Sequence, residues 1–535
     1  MHMSTSNNNL AQKKEIFSLE KIIITWFSIT LIRVFLEIYS SPDPSGYLFS
    51  WIDTFIHIPL SFFSIFLSFT LLIYLLTKNA ITDVLNFTTK LLLFTLVPPI
   101  ADLMITGSKA SSIGYTIATP DQFINLFFRL MSPFNNPGVT IGMHIAAYSI
   151  LLTISIFTYK KTKKLLPPLL GIIAGYIILF LYATIPSYII IPHLSKTILI
   201  SASSLYSILL KQSWITVTTT ANTSEQMLIA NDIFLSCILW ILVVVQILLL
   251  LFFANKKLWL ALKNNLRMER ILFWFLIATI GIITNKSIFG TINISNTVNV
   301  IYLLTFFILI TLNIWLAVMI NDEEDVSIDT ISNPDRPLAK KEIPTIQWGS
   351  IKFILFVLIF FGTAIMNMTT AFFLILAQTA YYLYSARPLR LKQHFVFSSV
   401  LIGATAIFIA MAGFFLVSPD QHILAFPIKT IFIIGISFAL ISNFKDIKDF
   451  KGDKNENMRT IPVVFGLKKS KLIIAGLFAF SFILVPLSLH LYNLILFSVF
   501  CSFFAFYLFT KKHYQERYIF LLLFLHIFTL LISFI

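Results

Sequence analysis

Charged residues are scarce in this chain, and their scarcity excludes a soluble globular protein. Only 12% of the 535 residues are Asp, Glu, Lys or Arg, whereas 57% are hydrophobic and the mean hydropathy is +0.87. Soluble domains usually carry about 25% charged residues. Apolar stretches of about 17 to 28 residues recur along the chain, and each is long enough to cross a bilayer as a helix. The composition therefore predicts a polytopic membrane protein.

Cysteine is nearly absent, which excludes two kinds of site. The chain contains two cysteines, Cys237 and Cys501, which lie far apart in different apolar stretches. Neither a disulfide framework nor a Cys-x-x-Cys metal site is compatible with this arrangement.

Acidic residues are outnumbered by basic ones, 24 against 39, which gives a net charge of +15. The basic residues form no continuous face. They lie in clusters between apolar stretches and alternate with almost uncharged loops, which is the pattern of cytoplasmic loops in membrane proteins. The basic excess is therefore a topology signal, and no nucleic-acid partner is expected.

Apolar stretches form two blocks on either side of a basic segment at 256–270. About six predicted spans precede this segment and about nine follow it. Those of the first block lie near 21–39, 51–77, 84–105, 141–158, 166–192 and 228–255. Those of the second block lie near 271–289, 296–320, 351–367, 370–385, 395–417, 427–443, 472–488, 490–509 and 517–535. We predict an all-α membrane protein with an N-terminal transmembrane block, 1–255, and a second transmembrane domain, 256–535.

Two acidic clusters with the same spacing follow apolar stretches in the second block. In order along the chain they contain Asp322, Asp325 and Asp329, and then Asp446, Asp449 and Asp453. The aspartates of each cluster fall at i, i+3 and i+7, which predicts that they share one face of an α-helix. Like charges at this spacing repel unless a cation lies between them. Mg²⁺ is the obvious candidate, because it prefers carboxylate oxygens together with the phosphate oxygens of a substrate.

The positions of the two clusters also predict on which side of the membrane they lie. Four predicted spans separate the clusters, so both face the same side. The basic loops place the N-terminus and both clusters in the cytoplasm and the C-terminus outside it. We expect the carboxylates to be hydrated and to contribute little to packing. Two facing carboxylate walls could hold a diphosphate through metal ions, whereas the alternative, a solvated helix-capping acidic loop, explains one cluster but not two in the same register.

The acidic clusters belong to longer motifs. The first reads Asn321-Asp322-x-x-Asp325-x-x-x-Asp329 and is followed by Asn333 and Arg336-Pro337. The second reads Lys445-Asp446-Ile447-x-Asp449-x-x-Gly452-Asp453 and is followed by Arg459-Thr460-Ile461-Pro462. Between them lie Tyr384-Ser385 and Pro388-Leu389-Arg390-Leu391-Lys392. In this order, within residues 270–535, the motifs resemble those of the UbiA superfamily of intramembrane prenyltransferases.

The resemblance implies a UbiA-like bundle of about nine transmembrane helices. It also implies Mg²⁺-dependent transfer of a polyprenyl group from a prenyl diphosphate to a lipophilic acceptor within the membrane. The six aspartates would be the catalytic metal ligands, since a metal ion neutralises charge on the departing diphosphate. The implied diphosphate-binding residues are Asn321, Arg390, Lys392, Lys445 and Arg459. For Arg390 and Lys392, a role as cytoplasmic topology charges is the alternative.

Three tyrosines between the motifs, Tyr381, Tyr382 and Tyr384, are candidates for the wall of a prenyl pocket. Loss of diphosphate leaves an allylic cation, which aromatic faces stabilise and an apolar cavity protects from water. Interhelical packing or interface anchoring is the alternative role for these side chains. The span at 270–289 lacks the Arg-Pro opening of many family members. The acceptor therefore stays open between an aromatic quinone precursor and a glycerol-phosphate-type lipid.

The N-terminal block carries no motif that we can assign. Ionisable residues nevertheless occur in or near its predicted spans, namely Arg33 and Glu37, Asp53 and His57, and Asp102 and His144. Such residues are costly in a membrane and are functional candidates by default, whereas a self-neutralising pair or a headgroup location is the alternative. A lipid transporter or flippase-like block that receives the transferase product is one hypothesis for residues 1–255. A non-catalytic membrane scaffold is another hypothesis for the chain.

Overall fold

The computed structural model describes residues 3–40, 50–106, 115–132, 139–196, 202–215, 223–290, 292–511 and 514–533. Within these ranges every named element is a helix, and the backbone pairs only in one isolated β-bridge between His394 and Arg459. The predicted all-α fold class is confirmed. Cys237 and Cys501 are both free and buried.

The chain forms two compact units. One comprises Met1–Lys256 with Ile294–Thr305, and the other comprises Lys257–Asn293 with Phe306–Ile535. The helix Thr297–Glu324 therefore contributes its first residues to one unit and the rest to the other.

Ten helices lie in the first 254 residues. They are α1 (Met3–Ser40), α2 (Ile58–Thr77), α3 (Ile81–Leu91), α4 (Val97–Thr106), α5 (Phe123–Met131), α6 (Ile141–Thr162), α7 (Leu166–Ala183), α8 (Ile185–Ile190), α9 (Ala202–Lys211) and α10 (Thr223–Ala254). A π-helical turn, Asp53–His57, leads directly into α2. Helix α2 packs against α7 and α10, and α6 packs against α4 and α7.

Thirteen helices follow. They are α11 (Lys256–Asn265), α12 (Met268–Phe289), α13 (Thr297–Glu324), α14 (Val326–Ser332), α15 (Thr345–Ile365), α16 (Met368–Ser385), α17 (Phe395–Val417), α18 (Ile428–Ile441), α19 (Asp446–Asn455), α20 (Ile461–Phe465), α21 (Leu467–Ser488), α22 (Ile495–Thr510) and α23 (Glu516–Ile532).

Thirteen helical segments of the described chain are long and apolar enough to cross a membrane, the first being Glu20–Ser40 and the last Tyr492–Thr510. Six of them precede residue 256 and seven follow it. The two remaining predicted spans correspond to α16, which carries Gln378 and three tyrosines, and to α23, which has only 17 residues. The structure thus supports all six spans predicted for the first block and seven of the nine predicted for the second.

Glycine lets two helices of the second unit approach closely. Helix α17 packs against α12, α16 and α18. A Cβ atom on Gly281 of α12 would lie 1.8 Å from the Ala410 carbonyl oxygen of α17, and one on Gly413 of α17 would lie 2.2 Å from the Ala278 carbonyl oxygen of α12. The backbones of α12 and α17 are therefore in direct contact, a form of packing that small residues permit in membranes.

Candidate active site

The first acidic cluster lies where one helix ends and the next begins. Helix α13 ends at Glu324, Asp325 has non-helical angles (φ −104°, ψ 15°), and α14 begins at Val326. The prediction of one continuous helix is therefore wrong for this cluster. Acidic side chains at the end of α13 meet the negative pole of its dipole, whereas Asp325 meets the positive pole of α14. The charges thus favour a break at this point.

The second acidic cluster lies on a single helix, as predicted. A 3₁₀ turn, Ser442–Lys445, leads into α19, which contains all three aspartates. Asp446 and Asp453 are buried, and Asp449 is half-buried. This cluster therefore faces the protein interior more than it faces solvent.

Helices α14 and α19 pack against each other and bring the two clusters together. The Gly452 amide donates to Ser332 Oγ at 3.0 Å, and Ser332 Oγ donates to the Asp449 carbonyl oxygen at 3.3 Å. The side-chain amide of Asn333 donates to Asp329 Oδ1 at 3.2 Å and to Asp449 Oδ1 at 2.8 Å. Asn333 thus links a carboxylate of the first cluster to one of the second.

The close contact between α14 and α19 depends on Gly452. A Cβ atom there would lie 2.7 Å from both Ile328 Cγ2 and Ser332 Oγ. We expect Gly452→Ala to push the helices apart and to lower the free energy of unfolding by about 1–3 kcal/mol, the usual effect of overpacking. Thermal unfolding in detergent measures this loss. The control is Gly476→Ala on α21, where a Cβ atom would meet no described atom within 4 Å. Equal unfolding temperatures for the two variants would contradict the prediction.

Asp322 is the most heavily paired carboxylate of the site. Its side chain accepts hydrogen bonds from Asn265 Nδ2 at 2.7 Å, from Arg267, and from Arg336 Nη1 at 3.3 Å. Arg336 also forms a close ion pair with Asp329. Asp322 and Asp329 are each 2% exposed. The expectation of hydrated carboxylates is therefore wrong for this cluster, because buried carboxylates require such partners.

Asp325 joins the first cluster to the segment 388–392, called the basic loop below because it contains Arg390 and Lys392. Its two carboxylate oxygens accept from Arg390 Nη2 at 2.7 Å and from Lys392 Nζ at 2.5 Å. Lys392 Nζ also donates to Asn321 Oδ1 at 2.8 Å, and Ser385 Oγ donates to the same oxygen at 3.1 Å. Both Arg390 and Lys392 are buried. Two predicted diphosphate-binding residues, Arg390 and Lys392, therefore bind one predicted metal ligand, and the third, Asn321, accepts a hydrogen bond from the same Lys392.

The surroundings of two carboxylates shift their pKa values in opposite directions. Burial favours a raised pKa for Asp325, but the adjacent Lys392 and Arg390 outweigh it and hold the pKa below its usual range. Burial raises the pKa of Asp329 to about 6, although the Arg336 guanidinium opposes this shift. Asp325 is therefore charged at neutral pH, whereas Asp329 begins to bind a proton in mildly acidic solution.

A small cavity adjoins the start of the second cluster. It has a volume of about 120 Å³, and Tyr381, Tyr384 and Lys445 are among its lining residues. Lys445 Nζ donates to the Tyr384 hydroxyl and lies 4.3 Å from the centre of its ring. Tyr381 packs edge-on against Trp274, with ring centres 5.7 Å apart. Tyr382 is 53% exposed. The structure thus places two of the three predicted tyrosines at the cavity and the third outside its lining.

Arg459 does not join the other predicted diphosphate-binding residues through its side chain, which is exposed. Its backbone amide donates to the Gln393 carbonyl oxygen at 2.7 Å, and its carbonyl oxygen accepts from the Phe395 amide at 3.2 Å. These bonds attach the end of the basic loop to the segment that follows α19. Arg459 therefore positions the loop that carries Lys392.

The second cluster offers oxygen atoms of the type that Mg²⁺ binds. Asp446 Oδ2 is buried and has no hydrogen-bond partner in the described part of the chain. Asp453 Oδ2 accepts only a long bond, 3.3 Å, from Thr460 Oγ1 among those described. Uncompensated carboxylate oxygens fit a hard divalent cation. Within the described ranges, however, no three carboxylates of the two clusters have oxygens within 4.8 Å of one another. The oxygen donors are of the type that Mg²⁺ binds, but no three of these carboxylates lie close enough together in the described ranges to bind one ion jointly.

Several residues of the site carried no predicted role. Asn265 and Arg267 belong to the basic segment that the charge pattern assigned to membrane topology, and Trp315 Nε1 donates to Asn265 Oδ1 at 3.2 Å. Asn333 and Arg336 belong to the first motif, but only the structure shows which carboxylates they contact. Their place in the motif was the available signal, since an Asn and an Arg one or two helical turns after a carboxylate can reach back to it.

Most of the second half of the chain matches a single family of known proteins. Residues 288–528 match the model of the UbiA prenyltransferase family, which confirms the predicted resemblance there, and no family model matches the N-terminal half. Digeranylgeranylglyceryl phosphate synthase from Sulfurisphaera tokodaii is 28% identical over 170 residues, which are 31% of this chain and 59% of the relative. Chlorophyll synthase from Arabidopsis thaliana is 30% identical over 176 residues, which are 29% of this chain and 42% of the relative.

The chain thus spans about half the length of the curated relatives that it matches. Among solved structures, a UbiA homologue from Archaeoglobus fulgidus bound to GPP and Mg²⁺ is 17% identical and has a TM-score of 0.40. The match covers 50% of this chain and 97% of that chain.

Proposed function

We propose that residues 256–535 form an integral membrane enzyme that transfers a prenyl group from a prenyl diphosphate to a lipophilic acceptor. The contact that supports this most directly is the Asn333 bridge between Asp329 and Asp449, which joins the two acidic clusters beside the basic pair Arg390 and Lys392. The match of residues 288–528 to the prenyltransferase family supports the reaction class. On the charge pattern of the loops, we further propose that both clusters face the cytoplasm.

The proposed metal ligands are the carboxylates of the two clusters, Asp322, Asp325 and Asp329 with Asp446, Asp449 and Asp453. The free buried oxygen of Asp446 supports a cation on the second cluster. When bound there, Mg²⁺ would neutralise charge on the diphosphate leaving group. The relative solved with GPP and Mg²⁺ is consistent in chemistry with this choice.

The chain's own cations would hold the diphosphate. Arg390 offers a planar fork of donors and Lys392 a point charge. Both are buried, and hydrogen bonds hold Arg390 to the Glu324 carbonyl oxygen and Lys392 to Asn321. Lys445 Nζ lies at the cavity wall next to Tyr384. Tyr381 and Trp274 would exclude water from the reacting carbon and present aromatic groups to an allylic cation.

Two charged residues make the same cavity suitable for a polar acceptor group. Arg270 and Glu516 both line it, with Nη2 and Oε1 3.9 Å apart. An Arg favours an anionic headgroup, as in a glycerol-phosphate-type lipid, and a carboxylate can accept the proton of an attacking hydroxyl. The relatives' names include both a glyceryl phosphate synthase and enzymes of aromatic acceptors.

The experiment that tests the function uses the full-length protein purified in detergent. Radiolabelled prenyl diphosphates of several chain lengths are offered with a glycerol-phosphate lipid, a phenolic quinone precursor or a tetrapyrrole. We expect label to enter one acceptor class together with release of diphosphate. Tight diphosphate binding without product in any arm would argue for a binding protein instead of a transferase.

Metal dependence gives a further prediction with a defined pH response. EDTA should abolish transfer, and Mg²⁺ should restore it. The Mg²⁺ concentration for half-maximal rate should rise as the pH falls through about 6, because Asp329, whose pKa lies at about 6, loses its charge on protonation. A single competing proton weakens metal binding by up to about tenfold per pH unit below the pKa. Metal titrations at pH 7.5, 6.5 and 5.5 measure this shift, and a constant half-maximal concentration would contradict it.

A further inference from the structure

A group of three potential metal ligands lies in the first unit, far in sequence from the acidic clusters. Asp53 and His57 are the ends of the π-helical turn before α2, and Asp232 lies on α10. One ligand atom from each of these residues lies within 4.8 Å of the others. Among the described residues, this is the one group of three His, Cys, Asp or Glu side chains that meets this condition. π-Helical turns are rare and occur frequently at functional sites.

The side chain of His57 is held so that one ring nitrogen faces both carboxylates. Its Nδ1 lies 2.8 Å from Asp53 Oδ1 and 4.0 Å from Asp232 Oδ1. Its Nε2 lies 2.8 Å from the Tyr115 hydroxyl. A ligating histidine usually forms a hydrogen bond through its second nitrogen, which fixes the ring and the tautomer. Nδ1 is hydrogen-bonded to Asp53 and would have to lose its proton to bind a cation, with Nε2 then donating to the Tyr115 hydroxyl.

Asp232 is fixed by neighbouring polar groups on its own side. Asn231 Nδ2 lies 3.4 Å from Asp232 Oδ1, and Asn231 Oδ1 in turn accepts from the Tyr206 hydroxyl at 2.7 Å. The Asp53 and Asp232 side chains are 25% and 16% exposed, and that of His57 is 8% exposed. All three ligands are therefore held largely away from solvent by residues of the same unit.

The charges in this group require a positive partner. Two carboxylates within a few ångströms repel strongly when largely shielded from water. The buried guanidinium of Arg33 in the same unit is paired with Glu37. A neutral His57 leaves two ionised aspartates uncompensated, so the group needs a proton, on His57 or on a carboxylate, or a metal ion.

We propose that Asp53, His57 and Asp232 bind one divalent transition-metal ion of the Zn²⁺ type. One imidazole nitrogen and two carboxylate oxygens are ligands that suit Zn²⁺ and distinguish the site from an all-oxygen Mg²⁺ site. In tetrahedral coordination with bonds of about 2.0–2.2 Å, neighbouring ligand atoms lie roughly 3.4 Å apart. The observed separations of 2.8 and 4.0 Å lie on either side of this value, so small side-chain movements suffice.

The tyrosine that contacts His57 connects the proposed metal site to a nearby cavity. Tyr115, which orients His57, also lines an apolar cavity of about 250 Å³ within the same unit. Three protein ligands leave a fourth tetrahedral position for water or a ligand atom. The charge pattern predicts that the beginnings of the spans at 51–77 and 228–255 lie on the extracytoplasmic side. The charge pattern therefore predicts an extracytoplasmic position for the proposed ion.

The test measures metal binding by the full-length protein. Chelator-treated protein is dialysed against Co²⁺ as a spectroscopic substitute for Zn²⁺, and bound metal is counted by mass spectrometry. With Mg²⁺ in excess to occupy the acidic clusters, we expect one equivalent of Co²⁺ with visible absorption typical of a tetrahedral site, displaced by Zn²⁺. His57→Gln, Asp53→Asn and Asp232→Asn should each weaken binding by more than about 100-fold, since even outer-shell changes cost 10–100-fold.

Two matched variants separate this site from other effects. Asp121→Asn makes the same charge change at an exposed aspartate of the first unit and should keep the Co²⁺ site. Asp446→Asn alters the second acidic cluster and should also keep the Co²⁺ site, so the result does not depend on the proposed transferase function.

The proposal is overturned if no Co²⁺ or Zn²⁺ binds, or if folded His57→Gln and Asp232→Asn proteins bind Co²⁺ as tightly as the unaltered chain does. Gel filtration and circular dichroism establish folding, and Asp53→Asn provides a second mild variant. A protonated His57 without bound metal, seen by ¹⁵N NMR, would be the corresponding negative result.

Discussion

Asp446→Asn should lower prenyl transfer by more than about 100-fold while leaving the fold intact, because loss of even a supporting partner of a metal ligand costs about 10–100-fold. Asp446 lies at the first position of α19, and its Oδ2 is buried without a hydrogen-bond partner in the described ranges. Asparagine keeps the shape of aspartate and removes its charge. Rates at saturating prenyl diphosphate and graded Mg²⁺ concentration measure the effect.

The control for this prediction is Asp335→Asn. The Asp335 side chain is 93% exposed and pairs only at the surface, with Lys340 Nζ at 3.0 Å. Its replacement changes the net charge equally and should leave the rate within about twofold, since exposed ion pairs contribute little. A near-normal rate for Asp446→Asn at limiting Mg²⁺ would remove Asp446 from the metal ligands.

Asp322→Ala should destabilise the protein by about 3–5 kcal/mol in addition to lowering its activity, because its removal leaves the largely buried Arg267 guanidinium without its carboxylate partner. Arg267 and Arg336 both donate to Asp322, and their side chains are only 16% and 17% exposed. The sequence-based expectation was a hydrated carboxylate whose loss leaves folding nearly unchanged. Denaturant or thermal unfolding of the purified variant in detergent distinguishes the two outcomes.

A neighbouring carboxylate provides the comparison. Glu323 pairs with Lys352, and these side chains are 34% and 24% exposed. Glu323→Ala should therefore cost less than about 1 kcal/mol, as expected for a pair in contact with solvent. If Asp322→Ala and Glu323→Ala unfold at the same temperature, the buried pairing of Asp322 contributes no special stability.

The sequence predicts the members of two acidic clusters and a basic pair but not how they are paired, and it gives no role to Asn265 or Arg267, which contact Asp322. The six aspartates, Arg390 and Lys392 are recognisable because their spacing is a local property of the chain. The break at Asp325 is not, because helical backbone bonds, from Asp325 N to the Asn321 oxygen and from Asp329 N to the Asp325 oxygen, persist across it and the same residues fit a continuous helix. Tyr382 shares its segment with Tyr381 and Tyr384, and only the packing of α16 decides which of them reach the cavity.

The first unit shows the same limit more clearly. Asp53 and His57 are visible as an i, i+4 pair in the sequence. Asp232 lies on α10, more than 170 residues away, and no local pattern connects it to them. The number and approximate positions of the spans, by contrast, follow from the lengths of the apolar stretches, which can be read directly from the sequence.

The pairing of Arg390 and Lys392 with Asp325 determines how an anionic headgroup can enter the site. Both cations already have a carboxylate partner, at 2.7 and 2.5 Å. Arg390 Nε is buried and has no hydrogen-bond partner in the described part of the chain, so one donor of the guanidinium is left for an incoming oxygen. Under the proposed function, a phosphate group would therefore share the two cations with Asp325 and would add negative charge to a group that already contains a carboxylate. A divalent ion would offset that added charge. An uncharged prenyl alcohol would bring neither the charge nor the need for the ion.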